Sequence, residues 1–236
     1  MEALRAARAV AVLTGSGVSA ESGVPTFRDA QTGLWARYDS ADLATPEAFA
    51  RDPGLVWEWY EWRRKIVREA APNPGHLALA QLQRRVSGFS LITQNVDGLH
   101  QSAGSGSVIE LRGNITRTKC YVEYVLVDDY APECTPPVCP NCGSPLRPDV
   151  VWFGETLSAE ALHAASEVAS TCDFFFSVGT SGLVQPAASL PFEALRGGAT
   201  VVEVNPDETP LTRSADYVLR GRAGEVLPAL VEATYG

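Results

Sequence analysis

Short, unbroken apolar runs recur along this chain: AVAVLT at 9–14, FSLIT at 89–93, VIEL at 108–111, FFFSVG at 174–179 and TVVEV at 200–204. Runs of that length, rich in β-branched and aromatic residues and without polar alternation, predict strands buried on both faces. Between several of them the apolar positions return at helical spacing, over 76–86, 158–171 and 186–196. Strands alternating with helices predict an α/β fold built on a mostly parallel sheet with both faces covered.

Two stretches break the rhythm. Residues 31–75 hold no strong strand but carry Trp35, Trp57, Trp59, Trp62 and two helix-like segments. They predict a helical insertion. Residues 118–153 are rich in Cys and Pro and predict a small module stapled by metal. A chain of 236 residues accommodates one main domain carrying such insertions. The sheet domain is accordingly expected over 1–30, 76–117 and 154–236, the helical module over 31–75 and the metal module over 118–153.

Composition narrows the partners. Lys and Arg number 19 against 28 Asp and Glu, a formal net charge of -9, and no long basic run appears. Nucleic acid and membrane surfaces are therefore not expected partners. No apolar stretch reaches the roughly 20 residues that cross a bilayer, and MEALRAARAVAVLTG lacks the layout of a signal peptide, so a cytoplasmic protein is expected. Five cysteines, Cys120, Cys134, Cys139, Cys142 and Cys172, favour thiols or metal ligands over a disulfide framework in that setting.

The candidate chemistry sits at strand ends, where open α/β sheets bind ligands. The first strand runs into TGSGVSAESGVPTFRD, whose Gly15 and Gly17 let backbone amides approach an anion before a short helix that Ser19 or Ser22 helps to open. Gly15, Gly17 and Ala20 satisfy the GxGxxA fingerprint of dinucleotide binding. Pro25 follows where a dehydrogenase would continue a full helix, which argues against hydride transfer. TQNVDGLH ends the second strand, and its amides and carboxylate suit hydroxyls and a carboxamide or, equally, cap a loop. In WEWYEWRRK, Tyr60 and Arg63 share a helix face; phenol and guanidinium together suit a carboxylate, while solvent is the plain alternative.

Four blocks in order resemble the sirtuin family of NAD-dependent protein deacylases: GSGVSAESGVPTFRD from 15, TQNVDGLH from 93, VVWFGE from 150 and VGTSGLVQPAA from 178. The resemblance implies a Rossmann-like NAD domain with an inserted helical module and a small zinc module. It implies that Gly15, Ser16, Ala20, Phe27 and Arg28 surround the NAD phosphates and nicotinamide ribose. Gln94, Asn95 and Asp97 would line the ribose and nicotinamide pocket, with Asn95 and Asp97 in the catalytic set. Gly179, Thr180 and Ser181 would form a second phosphate-side loop, and Asn205 would face the adenosine ribose. Val151, Phe153, Gly154 and Glu155 would receive an acylated-lysine peptide by strand addition. YxxR at Tyr60 and Arg63 resembles the bacterial and mitochondrial subclass that removes succinyl and malonyl groups, and Ala30 would leave room for the acid tail.

Three positions depart from the family pattern. The zinc module's second pair is intact as Cys139 and Cys142, but the first reads CYVE, leaving Cys120 with Glu123, and Cys134 as an alternative fourth ligand. Ser16 replaces a usual alanine. In VIELRGN, Arg112 occupies the place of the histidine that takes a proton from the NAD ribose hydroxyl. A guanidinium stays protonated and accepts no hydrogen bond, so it is no general base. His76, His100 and His163 carry no motif that would replace it. The expected function is NAD-dependent removal of acyl groups from protein lysine, impaired at Arg112. ADP-ribosyl transfer, NAD hydrolysis and a catalytically silent NAD and acyl-peptide-binding module are the alternatives.

Overall fold

A computed structural model of the protein describes residues 1–26, 38–131 and 133–236. Among these the elements run α1 (Glu2–Ala6), β1 (Ala9–Thr14), α2 (Ser16–Ala20), α3 (Ser40–Leu43), α4 (Pro46–Arg51), α5 (Pro53–Glu69), α6 (Pro74–Arg85), β2 (Gly88–Thr93), α7 (Leu99–Ser102), β3 (Val108–Glu110), β4 (Gly113–Cys120), β5 (Leu146–Val150), α8 (Ala159–Thr171), β6 (Phe174–Val178), α9 (Leu190–Gly197), β7 (Thr200–Val204), β8 (Tyr217–Leu219) and α10 (Ala223–Tyr235). No helix of the described residues is long and apolar enough to cross a membrane.

Six strands form one sheet in the order β3-β2-β1-β6-β7-β8, and every pairing is parallel. The predicted α/β class is therefore the observed one. Strand alternation divides the core in two. Val10, Val12, Phe174 and Phe176 face Leu79, Leu82 and Leu227 of α6 and α10. Ala11, Leu13 and Phe175 face Ala165, Ala169, Leu190 and Ala194 of α8 and α9. The strand order turns back at β1 and β6, and the crevice at their carboxyl ends is the standard ligand position of such sheets.

The five predicted strands appear within a residue or two of their expected ends, whereas β8 and α10 were not expected. β8 has three residues at the sheet edge, too few for a period, and α10 carries Pro228 inside its helical pattern. The segment expected as one helix over 186–196 opens with a 3-10 turn at Ala187–Ser189 before α9. Pro191 in the first turn of α9 explains the break, because proline suits a helix start and not its interior.

Helices α3 to α5 and the antiparallel pair β4 and β5 pack beside the sheet around a third core containing Phe49, Trp59, Tyr60, Ile115 and Trp152. α5 starts with Asp52 accepting from the Leu55 amide and Pro53 in its first turn. It buries Val56, Trp59, Tyr60, Arg63 and Val67, one helical face. Arg64 fastens that helix to β4: its Nε donates to the Ile115 carbonyl at 2.6 Å and its terminal nitrogen to the Arg117 carbonyl at 2.8 Å.

Candidate active site

A cleft of about 1670 Å³ opens at the carboxyl ends of β1 and β6 and continues between the sheet and the inserted modules. On its sheet side, backbone meets backbone. The Gly17 amide donates to the Gly179 carbonyl at 2.9 Å and the Gly15 amide to the Val178 carbonyl at 3.1 Å. A Cβ at Gly15 or Gly17 would lie 2.8 Å from the Gly179 carbonyl oxygen, and Gly179 itself has φ +58. Only glycines let these two loops meet, and the resulting cradle leaves Ser16, Ala20, Thr180 and Ser181 along the cleft wall.

The polar residues on this side hold one another. Asn95 Nδ2 donates to the Gly15 carbonyl at 3.0 Å and to Ser19 Oγ at 2.9 Å, and Ser19 Oγ donates to Asp97 Oδ2 at 2.7 Å. Asp97 Oδ1 also accepts from the Leu99 amide at 2.9 Å, so the loop-capping reading of this carboxylate and the cleft-lining one both describe it. Gln94 Nε2 donates to Thr180 Oγ1 at 3.0 Å and Asn205 Nδ2 to the Thr180 carbonyl at 2.9 Å, which joins three strand ends. Ser19 and Thr180 are thus the hubs of the network. Phe27, Arg28 and Ala30 lie outside the described residues.

None of the three histidines lines the cleft. His163 is exposed on α8. His76 and His100 are buried with ring centroids 4.7 Å apart, behind the strand ends. His100 Nε2 lies 2.9 Å from Thr14 Oγ1, which donates to Thr93 Oγ1, which accepts from the Asn95 amide. Burial pushes His100 down to about 3, aided by His76, and lowers His76 too against the pull of Asp97. Both rings are neutral near pH 7 and support the loop.

Arg112 stands in the turn between β3 and β4, where it lines the cleft with Asn95, Asp97, Val150 and Val151. Its carbonyl accepts from the Val151 amide at 3.0 Å. Gly113 beside it has φ +74, and a Cβ there would meet the Asp149 carbonyl at 2.3 Å, so the turn requires glycine. Arg112 Nε is buried without a hydrogen-bond partner among the described residues, and burial pushes the guanidinium below its ordinary pKa. It remains a donor with no capacity to accept.

The module side is built from side chains. Tyr60 and Arg63, which on α5 could have faced solvent, are both buried and both line the cleft. Trp152 Nε1 donates to Tyr60 Oη at 3.0 Å, and the Arg63 guanidinium lies 5.2 Å from the Trp59 ring centre. Burial pushes the Tyr60 phenol well above its usual range, only partly offset by Arg63 and Trp152. Val151, Phe153 and Gly154 lie along the wall, with Phe153 exposed at the mouth.

Glu155 also borders the cleft, but its carboxylate accepts two bonds from Arg147, at 2.5 and 2.9 Å, and one from the Trp152 amide at 2.8 Å. The amides of Val151 and Phe153 are likewise engaged, by the Arg112 and Ala44 carbonyls. The Trp152 and Val150 carbonyls are engaged as well, by the Glu155 amide at 3.1 Å and by Arg147 at 2.9 Å. Arg147, fully buried, gave no sign in the sequence: a lone Arg in PLRPDV reads as a solvated strand charge.

At the far end of β4 and β5, Cys120, Glu123, Cys139 and Cys142 bring one ligand atom each within 4.8 Å of one another. Cys120 and Cys142 sulfurs are 3.5 Å apart, and Cys139 sulfur is 3.8 Å from Glu123 Oε2. Tetrahedral zinc with sulfur at about 2.3 Å has ligand edges of about 3.8 Å, so three thiolates and one carboxylate fit it. Cys134 is exposed and outside this cluster.

A parallel sheet with paired glycine loops at its switch point, opening on a side-chain-lined channel, is the arrangement of a dinucleotide-binding protein of the Rossmann type. Residues 15–186 match the Sir2 family. NAD-dependent protein deacylase 2 of Pyrobaculum aerophilum is 54% identical over 230 residues, 97% of this chain and 92% of that protein. The NAD-dependent protein deacylase of Methylococcus capsulatus is 52% identical over 242 residues, 99% of this chain and 95% of that protein. A Sir2 homologue solved as an NAD complex superposes with a TM-score of 0.90 at 46% identity, covering 99% of this chain and 91% of the other. A Sir2 complex with a p53 peptide and NAD+ superposes at 0.86 with 31% identity, covering 98% and 95%. This chain belongs to the Sir2 family.

Proposed function

We propose that the protein is an NAD-dependent protein-lysine deacylase with a preference for acid-terminated acyl groups, succinyl or malonyl, and with turnover slowed by Arg112. The observation that carries it is the cleft itself. One continuous space takes in the Gly15, Gly17 and Gly179 cradle, the Asn95 and Asp97 cluster, Arg112, the 150–155 segment and the Tyr60 and Arg63 pair. NAD when bound supplies the ribose carbon that receives the acyl oxygen as nicotinamide leaves, and the adjoining hydroxyl that must then lose a proton.

The chain's own residues divide that work. The glycine cradle with Thr180, Ser181 and Asn205 receives the pyrophosphate and adenosine side. Gln94, Asn95 and Asp97, held by Ser19 and Thr180, orient the ribose and nicotinamide. The 150–155 segment receives an acylated-lysine peptide, and Tyr60 with Arg63 binds the acyl carboxylate by a phenol donor and a charge-assisted bond. Zinc fits the hairpin as a structural ion, closed by four protein ligands and remote from the reacting atoms. None of the five cysteines is paired in a disulfide, which suits a reducing compartment such as the cytoplasm.

Arg112 favours a second reading as well. With no proton acceptor at this position, the protein would bind NAD and acyl-lysine peptide without turnover, as a binding module. Incubating the protein with NAD and acetyl-, malonyl- and succinyl-lysine peptides, with mass analysis of products, tests both. Nicotinamide release with slow O-acyl-ADP-ribose formation, fastest for the acidic peptides, is expected. Peptide binding with no nicotinamide release at all would leave only the binding-module reading.

A further inference from the structure

The acyl end of the channel depends on a residue that the wall of the cleft partly conceals. Trp152 is buried, yet its one polar atom is spent on Tyr60 Oη at 3.0 Å. An indole N–H only donates, so at this contact the phenol oxygen must accept. The phenol's single proton is thereby left for another partner on the cleft side. Burial pushes the Tyr60 pKa up, so the phenol keeps that proton across the physiological range.

Trp152 is itself held at both ends. Its amide donates to Glu155 Oε2 at 2.8 Å, and its ring lies 3.3 Å from the Arg147 guanidinium carbon and 5.2 Å from the Phe49 ring. Arg147 is fixed in turn by both Glu155 oxygens and by the Val150 carbonyl at 2.9 Å. The indole cannot swing away without breaking this stack, so Tyr60 is presented with a defined polarity. A phenol free to rotate could accept from a ligand as readily as donate to it.

We propose that Trp152 is a positioning residue for acyl specificity: it fixes Tyr60 as a hydrogen-bond donor, beside the Arg63 charge, so that the channel selects acyl chains ending in a carboxylate. The inference rests on the acidic-acyl preference proposed above. It assigns to Glu155 and Arg147 the holding of Trp152, in place of a direct contact with peptide.

The test compares affinities of fluorescent succinyl-lysine and acetyl-lysine peptides for the zinc-bearing protein, a readout that needs no turnover. In Trp152→Phe, which keeps an aromatic ring and removes the N–H, the succinyl-to-acetyl affinity ratio falls about fivefold, the scale of ordering one side chain on binding. Tyr60→Phe lowers the ratio by about tenfold, the loss of one bond to a charged group. The double variant falls no further than Tyr60→Phe alone, because the two residues act through one proton. A ratio unchanged in Trp152→Phe, equal losses for both peptides, or independent losses in the double variant would each overturn the proposal. If the parent shows no succinyl preference, the acyl reading itself fails and takes this inference with it. Should Trp152→Phe not fold, the indole N–H resonance of Trp152 in the parent decides: it shifts with the succinyl peptide and not with the acetyl one, and equal shifts refute the assignment.

Discussion

The two walls of the cleft are made in different ways. On the sheet side, Gly15 and Gly17 press against Gly179, and Asn95, Ser19, Asp97, Gln94, Thr180 and Asn205 satisfy one another through the chain's own hydrogen bonds. On the module side, the surface is composed of side chains: Tyr60, Arg63, Trp152 and, at the seam, Arg112 with a buried Nε that no described residue satisfies. Where backbone defines a surface, adding one carbon breaks it. Where side chains define it, one substitution changes the chemistry and leaves the scaffold standing. Arg112 sits at such a side-chain position, in a turn fixed by Gly113 and by the bond from the Val151 amide to its carbonyl.

The largest effect expected on this contrast is removal of the ion that organises the module side. Stripping zinc with a chelator should cost several kcal/mol of folding free energy in the hairpin that carries Val150 and Trp152, lowering the melting temperature and weakening peptide binding. Glu123→Ala should lose zinc at least tenfold more readily and Glu123→Cys should retain it more firmly, measured by metal content after dialysis. Equal zinc retention in all three proteins would show that Glu123 is no ligand.

On the sheet side, Gly17→Ala places its Cβ 2.8 Å from the Gly179 carbonyl oxygen. Strain of about 1–3 kcal/mol should appear as roughly tenfold to hundredfold weaker ADP-ribose binding by calorimetry, with acyl-peptide affinity little changed. Comparable losses for both ligands would erase the distinction between the walls.

The smallest effect per step is with pH. His100 is pushed to about 3 by burial, against 6.5 when unperturbed. Between those values the unfolded chain binds the proton and the folded one does not, so stability is intact above about pH 6.5 and falls as pH drops towards 3, by at most roughly 1.4 kcal/mol per pH unit for this one proton. Urea unfolding at pH 7.0 and 5.5 should show that loss, and His100→Gln should reduce it. Identical slopes in parent and variant would mean that His100 is protonated in the fold.

Much of this was legible in the sequence, for physical reasons that differ by region. The buried parallel strands announce themselves as continuous apolar runs, and the glycine spacing at 15 and 17 marks a close approach that no other residue permits. β8 and α10 did not show, one too short and one interrupted by Pro228. The set Cys120, Glu123, Cys139 and Cys142 followed from the resemblance to the family's zinc module, whereas Cys134 is set aside because it lies outside the cluster of described residues. Tyr60 and Arg63 share a helix face in any sequence reading, but which face is buried is a tertiary fact. Arg147, Arg64 and the Trp152 contact with Tyr60 depend on residues 92 apart or on burial of a lone charge, which no local pattern encodes.

Under the proposed function, Arg112 slows turnover because no proton acceptor stands at its place in the cleft. Single-turnover formation of O-acyl-ADP-ribose from NAD and succinyl-lysine peptide, in the parent and in Arg112→His, tests it most directly. Product formation at least a hundredfold faster is expected in the histidine variant, the usual scale of a restored general base, with nicotinamide release changed far less. Equal rates of product formation in the two proteins would contradict it.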